Sequence, residues 1–104
     1  MIISRLGMIF TKEELDRISI SNSRDDLVSI TVDVHGLKCY QARRFINNII
    51  NLVRIRFRLV IIHGYRHGTA IKEMLATTFE NDHICIKYAD TRNQGVTHML
   101  IGAY

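Results

Sequence analysis

A chain of 104 residues has room for one domain and excludes separate catalytic and binding modules. Hydrophobic residues make up 47% of the sequence and charged residues 23%, a balance that excludes intrinsic disorder and predicts a folded core. The formal net charge of +4 favours an anionic partner over a neutral one.

Membrane proteins and disulfide-stabilised proteins are not expected either. No apolar run is long enough to span a bilayer, and the N-terminal residues lack the apolar core and cleavage site of a signal peptide. Cys39 and Cys85 have no close-spaced partner, so the sequence predicts neither a disulfide framework nor a zinc knuckle. We therefore expect a cytoplasmic protein with no membrane partner.

The first predicted element is a short helix. Thr11 and Glu14 have the spacing of a capping box ahead of an apolar position. A polar stretch from Ser19 to Asp26 then predicts a loop or linker. We therefore expect an N-terminal extension and linker over residues 1–26 and the main domain over residues 27–104.

The main domain opens with a strand that ends in a charged corner. Alternating β-branched residues over 30–34 predict the strand, and its period of two places Asp33 and His35 on the same side. Gly36 follows directly, where backbone can closely approach a ligand. A carboxylate and an imidazole are thus expected together at the carboxyl end of this strand.

A second strand, over residues 59–62, ends in the same dipeptide, His63 and Gly64. A helix between two strands of one sheet makes a crossover, so the two strands are expected to be parallel. Parallel strands end at the same edge, and ligands of open α/β sheets bind outside that edge. We therefore expect His35 and His63 on one rim.

The remaining elements are two helices and two strands. Over residues 38–54, apolar residues three and four apart predict a helix, whose basic, amide-rich polar face includes Arg43 and Arg44 and suits phosphates as well as solvent. A second helix over residues 69–80 is followed by an antiparallel pair of strands over residues 84–88 and 96–101.

The residues expected at the rim suit a phosphate group. Arg66 can neutralise its charge, and the backbone amides of Gly68 and Thr69 can cradle it. A histidine can act as general acid or base near neutral pH. The candidates for that role, with Asp33 beside them, are His35, His63 and His67. Phosphodiester cleavage fits these parts.

Other roles stay open for the same residues. Two histidines and a carboxylate can equally hold a divalent metal such as Mg²⁺ or Mn²⁺, although their spacing is not diagnostic; no other cofactor is predicted. Asp33 can instead be tied to loop amides while His35 and His63 cap strand ends. Tyr65 can stack on a base or pack partly into the protein.

Two motifs resemble those of the small MutS-related (Smr) domain family. Residues 32–37 resemble the LDxHGL motif that opens the Smr domain, and residues 61–68 resemble its HGxGxG motif, with Arg66 in place of the middle glycine. Residues 95–97 resemble the closing strand. By position, Asp33 and His35 match the first motif, and the second is matched by His63, Gly64 and Gly68.

The resemblance covers about residues 27–104 and implies a two-layer α/β sandwich, akin to the C-terminal domain of a bacterial translation initiation factor. With the elements above, the expected architecture is βαβαββ, with a four-stranded mixed sheet and a short N-terminal helical extension. The resemblance also implies binding to DNA or RNA. In some members it extends to DNA-nicking or RNA-cleaving endonuclease activity, a hydrolase reaction.

The first functional hypothesis is an endonuclease at this rim, in which Asp33 orients or activates and Arg66 stabilises the charged transition state. The second is a non-catalytic nucleic-acid-binding module, and the third is a protein-interaction domain. The candidate catalytic residues are Asp33, His35 and His63, and the candidate nucleic-acid-binding residues are Gly36, Arg43, Arg44, Gly64, Tyr65, Arg66, His67, Gly68 and Thr69. The sequence leaves open the choice between DNA and RNA and the oligomeric state.

Overall fold

The computed structural model describes residues 9–22, 27–53, 55–66 and 68–102. The elements in these ranges are α1 (Lys12–Leu15), β1 (Ile18–Asn22), β2 (Val28–Asp33), α2 (Cys39–Leu52), β3 (Phe57–Ile62), α3 (Ala70–Thr77), β4 (Ile84–Ala89) and β5 (Val96–Ile101). The capping box at the start of α1 is confirmed, because Thr11 and Glu14 exchange hydrogen bonds of 2.9 and 3.2 Å. None of the helices in the described ranges is long and apolar enough to cross a membrane.

The strands form one mixed sheet in the order β1-β2-β3-β5-β4. β2 and β3 are parallel, and the other neighbouring pairs are antiparallel. The predicted parallel pair and the predicted antiparallel pair at the end of the chain are both confirmed. Since β2 and β3 run in the same direction, the corners that follow them lie at the same edge of the sheet, called the rim below.

The predicted strand count of four is wrong, because the sheet has five strands. Residues 18–22, most of which were assigned to a polar loop, form β1 and pair with β2 in the register Ile18↔Val32 and Ile20↔Ile30. Ile18 and Ile20 pack against the core, whereas Ser19 is exposed on the other face. The alternation of isoleucine and serine is a strand pattern with one polar face, and its serines resemble loop composition.

The core lies between the sheet and the helices, which gives the two layers. The buried residues of α2 recur three and four apart and face the sheet: Ala42, Phe45, Ile46, Ile49 and Ile50. Alternate residues of β2, β3 and β5 meet them, and seven of these are fully buried: Ile30, Val32, Phe57, Leu59, Ile61, Met99 and Ile101. Each such side chain contributes about 1.5–3 kcal/mol when it is removed from water.

α3 is shorter than predicted, and β4 closes its C-terminal end. The ammonium group of Lys87 donates hydrogen bonds of 2.9 Å to the Leu75 carbonyl and 2.6 Å to the Phe79 carbonyl. A cation there also complements the negative end of the helix dipole. These hydrogen bonds join the sheet to the C-terminal end of α3.

Candidate functional site

The first corner of the rim holds Asp33 and His35 as a hydrogen-bonded pair. Oδ1 of Asp33 accepts the backbone N–H of His35 at 3.1 Å and lies 2.5 Å from the His35 Nδ1. The side chain of His35 is 66% exposed and that of Asp33 is 36% exposed. Nε2 of His35 makes no hydrogen bond to the described residues. The pair therefore presents an imidazole of fixed orientation, with one ring nitrogen available to a ligand.

Arg17 holds this corner from the N-terminal side. Its Nη1 donates to the backbone carbonyls of Asp33 at 3.0 Å and His35 at 3.2 Å. The Arg17 carbonyl in turn accepts the backbone N–H of Asp33 at 2.9 Å. The segment leading into β1 thus fixes the backbone that carries the candidate pair.

The second corner places His63 inside the protein, with 5% of its surface exposed. Nδ1 lies 2.8 Å from the Gly64 carbonyl, which can only accept, so Nδ1 carries the hydrogen. Nε2 therefore accepts from the Thr97 hydroxyl at 2.8 Å. Both ring nitrogens are used within the protein, which favours a structural role for His63 over proton transfer.

The charge state of His63 agrees with this role. Burial lowers the pKa of His63 below its ordinary value, and the nearby positive charge of Lys72 acts in the same direction. The hydrogen bond to the Gly64 carbonyl opposes this shift, because it favours a ring that keeps its Nδ1 hydrogen. His63 is thus held as a neutral hydrogen-bonding group that joins the end of β3 to β5.

The loop between β4 and β5 comes close to the second corner. The Gly95 carbonyl accepts the backbone N–H groups of His63 at 2.8 Å and Gly64 at 3.1 Å. A Cβ added to Gly95 would lie 3.1 Å from the Gly64 Cα, and Gly64 itself has a φ of +73°. Glycine is therefore favoured at Gly95 by the close approach of the two backbones and at Gly64 by its backbone conformation.

A second Asp–His pair holds that loop. Asp90 Oδ1 lies 2.7 Å from the His98 Nε2, and Asp90 Oδ2 accepts the backbone N–H groups of Arg92 and Asn93 at 2.9 and 2.8 Å. The hydrogen bond from His98 is the largest cause that lowers the pKa of Asp90, followed by the one from Arg92. The ring of Tyr88 stacks on His98 at a centroid distance of 4.9 Å. This cluster fixes the loop that supplies Asn93 and Gly95 to the rim.

A cleft of about 600 Å³ opens between the two corners, the β4–β5 loop and the start of α3. Many of the predicted site residues line it: His35, Gly36, His63, Gly64, Tyr65, Arg66 and Gly68. Arg66 is exposed and Tyr65 is 41% exposed, so both are accessible to a ligand in the cleft. The structure therefore brings these residues together around one concave surface.

Other predicted site residues lie elsewhere. The Arg43 guanidinium donates to the Thr78 hydroxyl at 2.8 Å, which ties α2 to the C-terminal end of α3. Arg44 is exposed on α2 and does not line the cleft. The Thr69 hydroxyl donates to a carboxylate oxygen of Glu73 at 3.0 Å. His67 lies outside the described residues.

The side chains do not form a metal site in the part of the chain that the structure describes. No group of three or more His, Cys, Asp or Glu side chains there has an arrangement that could hold a metal ion. Asp33 Oδ1 is already engaged by His35. The Mg²⁺ or Mn²⁺ site left open by the sequence stays a prediction.

Several residues that shape the site were not predicted as part of it. Arg17 lies outside every motif, and its contact with the first corner depends on the position of β1 beside β2, which the sequence does not predict. Asn93 lies in a polar loop without a motif. The Asp90–His98 pair does have a sequence signal, since eight residues separate the two across a hairpin.

Comparison with protein-family models, curated proteins and solved structures finds no match for this chain.

Proposed function

We propose that this chain binds DNA or RNA at the rim cleft and cleaves a phosphodiester bond there. The observation that carries the proposal is the Asp33–His35 hydrogen bond on a concave surface that also holds Arg66. An oriented imidazole beside an arginine supplies proton transfer and charge neutralisation at one place. The net charge of +4 and the motif resemblance support the same choice of ligand.

In the proposed reaction, His35 acts as the base through Nε2. The bond from Nδ1–H to Asp33 fixes the tautomer that leaves a lone pair on Nε2, and the carboxylate stabilises the imidazolium that forms. Nε2 takes the proton from the attacking oxygen, of water or of a ribose 2′-hydroxyl, as that oxygen bonds to phosphorus. The bond to the leaving oxygen breaks, and that oxygen is protonated by the imidazolium or by solvent. Arg66 neutralises the charge on the phosphoryl oxygens.

His63 has a different part in this proposal. Its two hydrogen bonds hold the backbone of the second corner against β5, so that Gly64 and Arg66 keep their places along the cleft. His63 is therefore a positioning residue. Proton transfer, which the sequence allowed for both histidines, is assigned to His35 alone.

A second candidate function is non-catalytic binding of nucleic acid at the same cleft. The burial of His63 favours it, because the described part of the rim then offers one exposed histidine where acid–base catalysis often uses two. The two candidates share a ligand and differ in whether a product forms.

Cleavage of supercoiled plasmid and of structured RNA, with Mg²⁺, with Mn²⁺ and with EDTA, tests the catalytic proposal. The comparison is between wild type, an Asp33→Ala, His35→Ala double variant, and an Asp82→Ala, His83→Ala double variant. Asp82 and His83 lie in the turn before β4, at the opposite edge of the sheet, and provide a matched control. The proposal is supported if wild type and the control variant form product and the Asp33→Ala, His35→Ala variant does not. If wild type binds nucleic acid but forms no product, the non-catalytic function is the one that remains.

Both candidate functions require binding of nucleic acid at the cleft. Binding of fluorescein-labelled oligonucleotides over a range of salt concentrations tests this requirement. Arg66→Ala is expected to reduce the slope of log affinity against log salt by about 1, as loss of one phosphate contact does. Arg56→Ala is the control, because Arg56 is exposed just before β3, away from the rim. Absence of salt-sensitive binding by the wild type would contradict both candidates and favour a protein-interaction domain.

A further inference from the structure

The interior of the cleft is more apolar than a phosphate site requires. Leu37, Ile62 and Ile71 come from three different parts of the chain and line it together. Ala70, the first residue of α3, adds a small exposed apolar surface at the same place. Contact with apolar side chains does not stabilise a bound phosphate group, whereas it does stabilise a flat aromatic ring.

The polar groups of the cleft belong to its loops. His35 and Arg66 can contact a phosphate, and Asn93 brings an amide whose Oδ1 accepts the Gly95 N–H at 2.9 Å. Tyr65, at 41% exposure, offers a ring on which a base can stack. A volume of about 600 Å³ lies within the range of protein sites that enclose a small ligand. Apolar walls beside a phosphate site match the two halves of a nucleotide.

We propose that the cleft takes up one unpaired nucleobase, with the adjoining phosphate at His35 and Arg66; this rests on the proposed function. In a duplex each base is covered by its stacked neighbours, so a paired base reaches the cleft only after it leaves the stack. An unpaired base in a single strand, bulge or loop does not need to break a base pair. The chain therefore prefers unpaired nucleotides to a continuous duplex.

The test measures the affinity of the full chain for four labelled oligonucleotides of one sequence: single strand, continuous duplex, duplex with a one-nucleotide bulge, and duplex with an abasic bulge. DNA and RNA versions are both used. We expect the bulged duplex to bind about tenfold more tightly than the continuous duplex, as stacking of one base provides. The abasic bulge, which keeps the phosphate and the bend, is expected to lose this preference.

Two tryptophan variants on α3 locate the site. Ala70→Trp fills the cleft from an exposed position, and Ala76→Trp places the same side chain at an exposed position of the same helix that does not line the cleft. Ala70→Trp is expected to lose the preference for the bulge, and Ala76→Trp to keep it. Circular dichroism verifies that both variants fold.

Three results would overturn the inference. Salt-dependent binding with equal affinity for continuous, bulged and abasic duplexes overturns uptake of a base but leaves binding at the rim intact. Retention of the bulge preference by Ala70→Trp would show that the base is not taken up in this cleft. No salt-dependent binding to any of the oligonucleotides overturns the proposed function and the inference together.

Discussion

The buried hydrogen bond between Thr97 and His63 is the feature of the rim whose energetic role can be tested most cleanly. Thr97 is 7% exposed and His63 is 5% exposed, so water cannot replace the hydroxyl if it is removed. Thr97→Val keeps the shape of the side chain but leaves the acceptor nitrogen of His63 without a donor. An unsatisfied buried polar group costs about 1–3 kcal/mol, and we expect this loss in the free energy of unfolding.

Two further variants separate the hydroxyl from the packing. Thr97→Ser keeps the donor and loses one methyl group, for an expected cost of about 1 kcal/mol, which should be smaller than the cost of Thr97→Val. Thr31→Val removes a half-buried hydroxyl of β2 that has no hydrogen-bond partner among the described residues, and it is expected to change stability little. Equilibrium urea unfolding followed by far-UV circular dichroism gives all three values. In thermal unfolding, each kcal/mol lowers the Tm by about 4–8 °C for a domain of this size.

The refuting result is specific. If Thr97→Val is as stable as wild type, or if Thr97→Ser and Thr97→Val are destabilised equally, the hydroxyl does not stabilise the His63 ring. The assignment of His63 as a structural residue would then be wrong.

Three other predictions concern stability. Since burial lowers the pKa of His63, the unfolded chain binds a proton that the folded chain does not, so the free energy of unfolding should fall as the pH drops below 6.5. Urea unfolding from pH 7.5 down to 5 should show this dependence weakened in His63→Gln; an unchanged dependence would contradict the assignment. Gly95→Ala places a methyl group 3.1 Å from the Gly64 Cα and should cost about 1–3 kcal/mol in the same assay, whereas a neutral effect would mean that the two backbones can separate freely. Lys87→Met removes two hydrogen bonds from a charged donor to the end of α3 and should lower stability by about 1.5–3 kcal/mol, with a wild-type melting temperature as the contradicting outcome.

The parts of the fold that could be predicted are those with a local signal. Period-two alternation located β2 and β5, a continuous apolar run located β3, and the three-and-four spacing located α2, because in each case one face of the element is buried. β1 has the same alternation, but it is short and its exposed residues are serines, which also dominate loops. Its pairing with β2 is a tertiary preference that composition does not reveal.

The site could be predicted only in part, for a related reason. That Asp33 and His35 share one side follows from strand geometry, and their contact is between neighbours in sequence. The burial of His63 depends on Thr97, 34 residues away, and a histidine at a strand end is equally consistent with solvent exposure. Partners at such separations are set by the sheet order, which the sequence gives no direct means of reading.

The cleft itself shows the same limit. Its walls come from four separate segments, including the loop held by Asp90 and His98. The motifs indicate the position of the two corners and of the charged residues at the rim. They do not indicate the apolar surface that lies between the corners. That surface is the basis for expecting an unpaired base in addition to a phosphate.

Chemical rescue of His35→Ala tests the central claim most directly, because the exposed position of His35 leaves space for an added imidazole. Cleavage of the substrate identified for the wild type is measured with increasing concentrations of imidazole at neutral pH. If His35 transfers the proton, the variant should form little product alone and regain product formation as imidazole is added. Wild-type activity in His35→Ala without imidazole, or an inactive variant that imidazole does not restore although it still binds substrate, would contradict the proposed role of His35.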